Sequence, residues 1–166
     1  MSDSPIHIVT ALFPEHLEAV REIFVEYGES LGIDLGFQNF DAELATLPGK
    51  YAAPEGHILL AMRDGQAVGC VALRPLAGTT CEMKRLYVRP AGRGQQLGKT
   101  LAQTICRVAQ EAGYSRIVLD TLASMHAALH VYKTLGFEVI EPYVFNPLPD
   151  ATFLGRDLSA RSHDNA

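Results

Sequence analysis

Leu86-Tyr87-Val88, an apolar run with strand character, passes through Arg89-Pro90-Ala91-Gly92 into Arg93-Gly94-Gln95-Gln96-Leu97-Gly98-Lys99 and then into an amphipathic helical pattern. A strand that turns through glycines into a helix start can hold an anion. The first N–H groups of a helix lack intrahelical partners, and the macrodipole adds partial positive charge there. Gly94 and Gly98 would let a phosphate approach the backbone closely. Lys84 to Lys99 holds five basic residues and no acidic one, although the whole chain carries 14 Lys+Arg against 19 Asp+Glu. Positive charge is therefore gathered where a polyanionic ligand would lie. The bland alternative is an ordinary helix start with solvated charges.

Other residues with chemical potential lie on both sides of this loop. Tyr132, followed by Gly136-Phe137, can be a proton donor or simply an aromatic on the core stripe of its helix. Glu82 precedes the basic loop on the same strand. Strand alternation places it with Lys84 and Leu86, where it could face a cleft and accept a proton through water, or remain an ion-paired carboxylate. Tyr27, Glu29 and Asp34 could select a cationic substrate or be solvated loop residues. His126 and His130 have the i, i+4 spacing of metal ligands, but no third ligand is evident and no metal is expected. Gly98-Lys99-Thr100 ends like a phosphate-binding P-loop, and Arg116 to Asp120 reads like the acidic strand that accompanies one. That motif, however, demands glycine at position 93, where the chain has Arg93.

A chain of 166 residues that is 48% hydrophobic can build one compact domain, expected over residues 6–158 with a disordered tail at 159–166. A net charge of −5 argues against a general nucleic-acid binder. No apolar run approaches the ~18 residues that would span a bilayer, and the N-terminus lacks the charge and apolar pattern of a signal peptide. A cytoplasmic protein with no membrane partner is expected. Cys70, Cys81 and Cys106 form an odd set without C-x-x-C spacing, expected to be reduced and structural.

The periodicity predicts a strand at 6–10, a helix opened by Pro14, and a short helix carrying Phe40, Leu44 and Leu47 within a flexible flap. A hairpin about Asp64-Gly65 and a third strand at 81–88 make an antiparallel meander. A helix over 96–112, a buried strand at 117–119, a helix capped by Ser124, and strands at 137–140 and 152–158 complete the chain. This order predicts an α+β fold: a mixed, mostly antiparallel central sheet with helices on both faces.

Over residues 6–158 the chain resembles the GNAT superfamily of acyl-CoA-dependent N-acetyltransferases. Arg93 to Gly98 is similar to that family's pyrophosphate loop, Tyr132-Lys133-Thr134-Leu135-Gly136-Phe137 to its helix-to-strand signature, and the element order to its topology. Gln96 stands where the family usually has Gly, and Met125 where it commonly has Asn, with Ser124 a weak substitute for the missing side-chain contact to the pantetheine arm. The resemblance implies direct transfer of an acetyl group from acetyl-CoA, as cosubstrate, to a primary amine of a small molecule or peptide. It implies that Arg93, Gly94, Gln95, Gln96, Leu97 and Gly98 hold the pyrophosphate, mainly through backbone N–H groups, and that Lys99 adds charge. Leu86, Tyr87 and Val88 would offer main-chain groups to pantetheine, and Tyr132 would protonate the departing thiolate. A non-catalytic acyl-CoA-binding domain and, more remotely, a P-loop enzyme are the rival readings. A homodimer is left open.

Overall fold

The computed structural model describes residues 4–32, 35, 39–94 and 96–158. Gln95, Asp34 and the tail at 159–166 therefore lie outside the described residues. Two hairpins found the sheet. Strands β1 (His7–Thr10) and β2 (His57–Arg63) pair antiparallel, and β2 turns into β3 (Gln66–Ala77) at Asp64 and Gly65, with φ of 54° and 78°. Positive φ at both central residues gives the hairpin a turn whose twist matches the strands. Strand β4 (Thr80–Val88) follows antiparallel to β3, and β5 (Arg116–Leu122) runs parallel to β4 after helix α3 (Leu97–Glu111). Strand β7 (Ala151–Asp157) lies between β5 and the edge strand β6 (Glu138–Val139), giving the order β1-β2-β3-β4-β5-β7-β6.

Helices cover both faces, as the apolar pattern demanded. On one side α3 and α4 (His126–Thr134) pack on Val71, Leu73, Cys81, Met83, Ile117 and Leu119; Leu101 and Ile105 of α3 are fully buried, each contributing about 1.5–3 kcal/mol. On the other side α1 (Leu17–Leu31) buries Val20, Ile23 and Phe24 against Ile58, Leu60, Cys70 and Ala72, with Phe40 and Leu44 of α2 (Phe40–Ala45) packed against the same cluster. The start of α3 sits tight on β3 because residue 69 is glycine. A Cβ there would stand 3.0 Å from Leu101 Cδ1 and 3.2 Å from Leu97 Cδ2. None of the described helices is long and apolar enough to cross a membrane.

The feature that shapes the site is a bulge in β4. Cys70 pairs with Tyr87 and Ala72 with Lys84, so Arg85 and Leu86 together oppose Val71, and Arg85 has a left-handed φ of 63°. A non-glycine residue in that region is strained by about 1–2 kcal/mol. What holds it is a two-pronged bond from Arg85 Nε and Nη2 to Glu43 of α2, at 2.9 and 2.8 Å, with the guanidinium 4.9 Å from the Phe40 ring centre. Beyond the bulge the faces exchange: Leu86 and Val88 join Cys81 and Met83 under α3, while Tyr87 turns toward α1. Simple alternation thus misplaced Leu86, which does not share a face with Glu82.

Other differences are local. The chain turns over residues 13–16 and α1 begins at Leu17 rather than Pro14. Ser124 makes no capping bond; the cap position of α4 is Met125, also without a side-chain cap. The strand expected at 137–140 is reduced to Glu138–Val139. Pro142, Pro147 and Pro149 supply no N–H to a ladder, and residues 140–150 become a connection across the sheet face.

Candidate active site

Strands β4 and β5 pair only from Thr80↔Arg116 to Glu82↔Val118, although β4 continues to Val88 and β5 to Leu122. The two strands therefore part, and the β4 edge from Met83 to Val88 faces an opening instead of a neighbouring strand. The Leu86–Tyr87 stretch of that edge lies where an extended ligand could run alongside it. A cleft of about 780 Å³ lies there, lined by Leu86, Tyr87, Val88, Arg93, Gly94, Gln96, Leu97, Gly98 and Lys99 on one side and by α4 on the other. Every described residue expected to hold the cofactor lines it except Ser124, which is exposed, while its neighbour Met125 is a wall residue of the cleft.

The first turn of α3 leaves N–H groups open on the cleft side of the chain's basic loop. Its first intrahelical bond runs from Thr100 N to Gln96 O, so the N–H groups of Leu97, Gly98 and Lys99 have no partner within the helix, and no acidic residue occupies that turn. Gln96 itself is left-handed, with φ of 54°, at the cap position. Replacing it with Gly relieves about 1–2 kcal/mol of strain and adds about 0.5–1 kcal/mol of chain entropy to lose. A net gain of about 0.5–1 kcal/mol is expected in denaturant unfolding. A loss of stability would mean that the Gln96 side chain makes a compensating contact.

The basic cluster divides its labour. Arg93 donates from Nε to Val88 O at 3.3 Å beside the cleft, and Lys99 lines it. Arg89 instead binds Glu26 Oε1 at 2.9 Å, and Glu26 Oε2 accepts the Tyr87 hydroxyl at 2.8 Å, so one carboxylate of α1 clamps the end of β4. Arg85 holds α2, and Lys84 is buried on the α1/α2 side of the sheet.

Where β4 and β5 part, a second, smaller cavity of about 60 Å³ shares the walls Leu86, Met125 and Ala128 with the cleft. Tyr27 of α1, Lys84, Asp120 of β5, Tyr132 of α4, and Asn146 and Leu148 of the β6–β7 connection also line it. Tyr132 is 6% exposed, its ring centre 5.7 Å from that of Phe137. Burial raises its pKa, with Tyr27, Cys106 and Asp120 adding in the same direction, so the hydroxyl stays protonated. Burial also pushes the Lys84 ammonium down, against the opposing pull of Glu82 and Asp120.

Glu82 is not in this cavity. It is fully buried, with Oε1 accepting Arg74 Nε at 2.9 Å and Oε2 accepting the Tyr143 hydroxyl at 2.6 Å, and with Lys84 Nζ 3.9 Å from Oε2. Both oxygens are committed, and neither is presented to the space where an amine would come. Tyr27 reaches the cavity, whereas Glu29 is exposed outside it. Asp120, Asn146 and Met125 were not singled out for this cavity from sequence. Asp120 had a signal: it follows the buried run Ile117-Val118-Leu119 at a strand end. Asn146, far along the chain in a proline-rich connection, had none.

The acetyltransferase (GNAT) family model matches residues 17–137. The chain is 43% identical to an uncharacterized N-acetyltransferase of Schizosaccharomyces pombe, over 96% of this chain and 99% of that one. It is 30% identical to an uncharacterized N-acetyltransferase of Dictyostelium discoideum, over 84% of this chain and 94% of that one. The fold matches that of yncA of Salmonella typhimurium, solved with its cofactor acetyl-CoA, with a TM-score of 0.71 at 22% identity, covering 93% of this chain and 95% of that one. With the anion-ready start of α3, the parted strands and the buried tyrosine already in place, these matches establish that the chain belongs to the acetyltransferase (GNAT) family.

Proposed function

We propose that this enzyme transfers an acetyl group from acetyl-CoA directly to a primary amine of a small molecule or peptide. The observation that carries the reading is the continuity of the cleft, from the unpartnered N–H groups of α3 along the free edge of β4 to the cavity containing Tyr132. The cleft fits the cosubstrate on a further test. A Cβ at Gly98 would meet only Val88 Cγ2, at 3.9 Å, and Gly98 is not at positive φ. Neither packing nor backbone requires glycine there, yet glycine in a helix costs about 1 kcal/mol relative to alanine. Close approach by a phosphate group supplies the missing reason.

In this reading Leu97, Gly98 and Lys99 hold the pyrophosphate by backbone N–H groups, with Arg93 and the Lys99 side chain adding charge. The β4 edge at Leu86–Val88 orients the pantetheine arm and polarises the acetyl carbonyl, and Tyr132 gives its proton to the departing sulfur. Met125 packs against the arm where Ser124 had been the candidate. A cytoplasmic setting accords with the free, buried thiols of Cys70, Cys81 and Cys106.

Gly98→Ala separates the two roles of this residue. The variant is expected to be more stable by about 0.5–1 kcal/mol, since alanine is the better helix former. Acetyl-CoA binding is expected to weaken at least fivefold in isothermal titration calorimetry. Equal or tighter binding would remove the α3 start from the phosphate site. For the activity, thiol release from acetyl-CoA is measured across a panel of primary amines. Release with an amine and none without it supports transfer, whereas acetyl-CoA binding with no release for any amine favours a non-catalytic binding domain.

A further inference from the structure

We infer that Asp120 receives the amine of the acceptor and takes its proton, and that Asn146 positions it for this. The inference rests on the transfer reading above and names the base that Glu82, committed elsewhere, does not supply. Glu82↔Val118 is the last β4–β5 pair. Lys84 and Asp120 lie two residues further along, and side chains two apart on a strand leave by the same face. Both therefore project toward α1 and α2 at the point where the strands part, and both line the cavity that holds Tyr132.

Asp120 differs from Glu82 in what remains open. It is half-buried, and Asn146 Nδ2 donates to its Oδ2 at 3.0 Å. Oδ1 has no hydrogen bond to another described residue. The titratable groups that feel its charge come from each packed element: Lys84 on β4, Tyr27 on α1, Tyr132 on α4, and Tyr143 in the β6–β7 connection. That connection is tied down at two carboxylates, Tyr143 to Glu82 and Asn146 to Asp120. Glu82 thus anchors the segment that orients Asp120.

The proton inventory closes. An acceptor arriving as an ammonium ion gives one proton to the Asp120 carboxylate, and its freed lone pair bonds to the acetyl carbon. As the carbon–sulfur bond breaks, sulfur takes the Tyr132 hydroxyl proton. The second proton leaving nitrogen restores the tyrosine, directly or through water. Asp120 then releases its proton to solvent, so each acetyl group moved liberates one free thiol and one proton.

The test uses two acceptors of similar size, ethylamine, an ammonium ion at neutral pH, and trifluoroethylamine, already neutral there. With ethylamine, Asp120→Asn is expected to lower kcat/KM about 10²-fold, the range for loss of a general base. With trifluoroethylamine the loss is expected to stay under about threefold, because no proton needs to be removed before attack. Acetyl-CoA affinity, read by calorimetry, reports whether the variant is folded. An equal loss with both amines, or no loss with ethylamine, overturns the inference. If Asp120→Asn does not bind acetyl-CoA, Asn146→Ala carries the same comparison, with at least a fivefold loss expected for ethylamine alone and an unchanged ethylamine rate counting against the inference. Absence of wild-type thiol release with these two amines and with every amine of the panel above, despite acetyl-CoA binding, overturns the transfer reading and the role of Asp120 with it.

Discussion

Tyr132→Phe is expected to lower kcat about 10²-fold or more while leaving acetyl-CoA affinity little changed. The ring stays in place beside Phe137, since only the hydroxyl is removed, and packing on α4 is nearly conserved. On the proposed mechanism, what is lost is a proton for the leaving sulfur. The direction of the tyrosine's pKa supports the role. Its folded value is raised above the ordinary 10, chiefly by burial, so the hydroxyl is protonated throughout the neutral and mildly alkaline range. The wild-type rate should therefore show no decline from loss of this proton below pH 10. Thiol-release kinetics at saturating acetyl-CoA check both statements. A mutant with wild-type kcat would return Tyr132 to the status of a core aromatic, and equal losses in kcat and in cofactor affinity would point to damaged packing rather than a missing proton.

Glu82→Gln is expected to destabilise the fold by about 3 kcal/mol, with Arg74 and Lys84 left facing an uncharged amide. The side chains of Glu82, Lys84 and Arg74 are 1%, 6% and 22% exposed, so water screens the first two poorly and the third somewhat better. The partly open Arg74 is the reason to expect the low end of the range for breaking a buried pair. Tyr143→Phe, which removes one neutral donor to the same carboxylate, should cost only about 1–2 kcal/mol. Denaturant unfolding of both variants reads these values. A Glu82→Gln protein as stable as the wild type but catalytically dead would reverse the assignment and make Glu82 a participant in the proton transfer.

The elements and the candidate anion-binding loop were legible in the sequence because their signals are local. Asp64-Gly65 specifies its turn through two positive φ values, the apolar stripe of α3 is periodic, and an unpartnered helix start at Gln96 to Lys99 follows from chain order alone. The same is true of Tyr132, whose Gly136-Phe137 context lies on the same helix-to-strand segment. Local periodicity also led the reading astray at Leu86. Alternation assumes an unbroken strand, and the bulge at Arg85 is paid for by Glu43 and Phe40, residues more than forty positions away.

By itself, then, the order of residues determined the α+β sheet, the glycine-bearing helix start proposed for the pyrophosphate, and the candidate acid Tyr132. The acceptor side was decided only in three dimensions. Whether Glu82 or Asp120 meets the cavity depends on where β4 and β5 cease to pair and on which carboxylate Tyr143 and Asn146 reach from the β6–β7 connection. Two carboxylates on neighbouring strands look alike in sequence. Burial among cations commits one of them, and the parting of the strands opens the other, because hydrogen bonding and solvent access are properties of the packed chain rather than of local spacing.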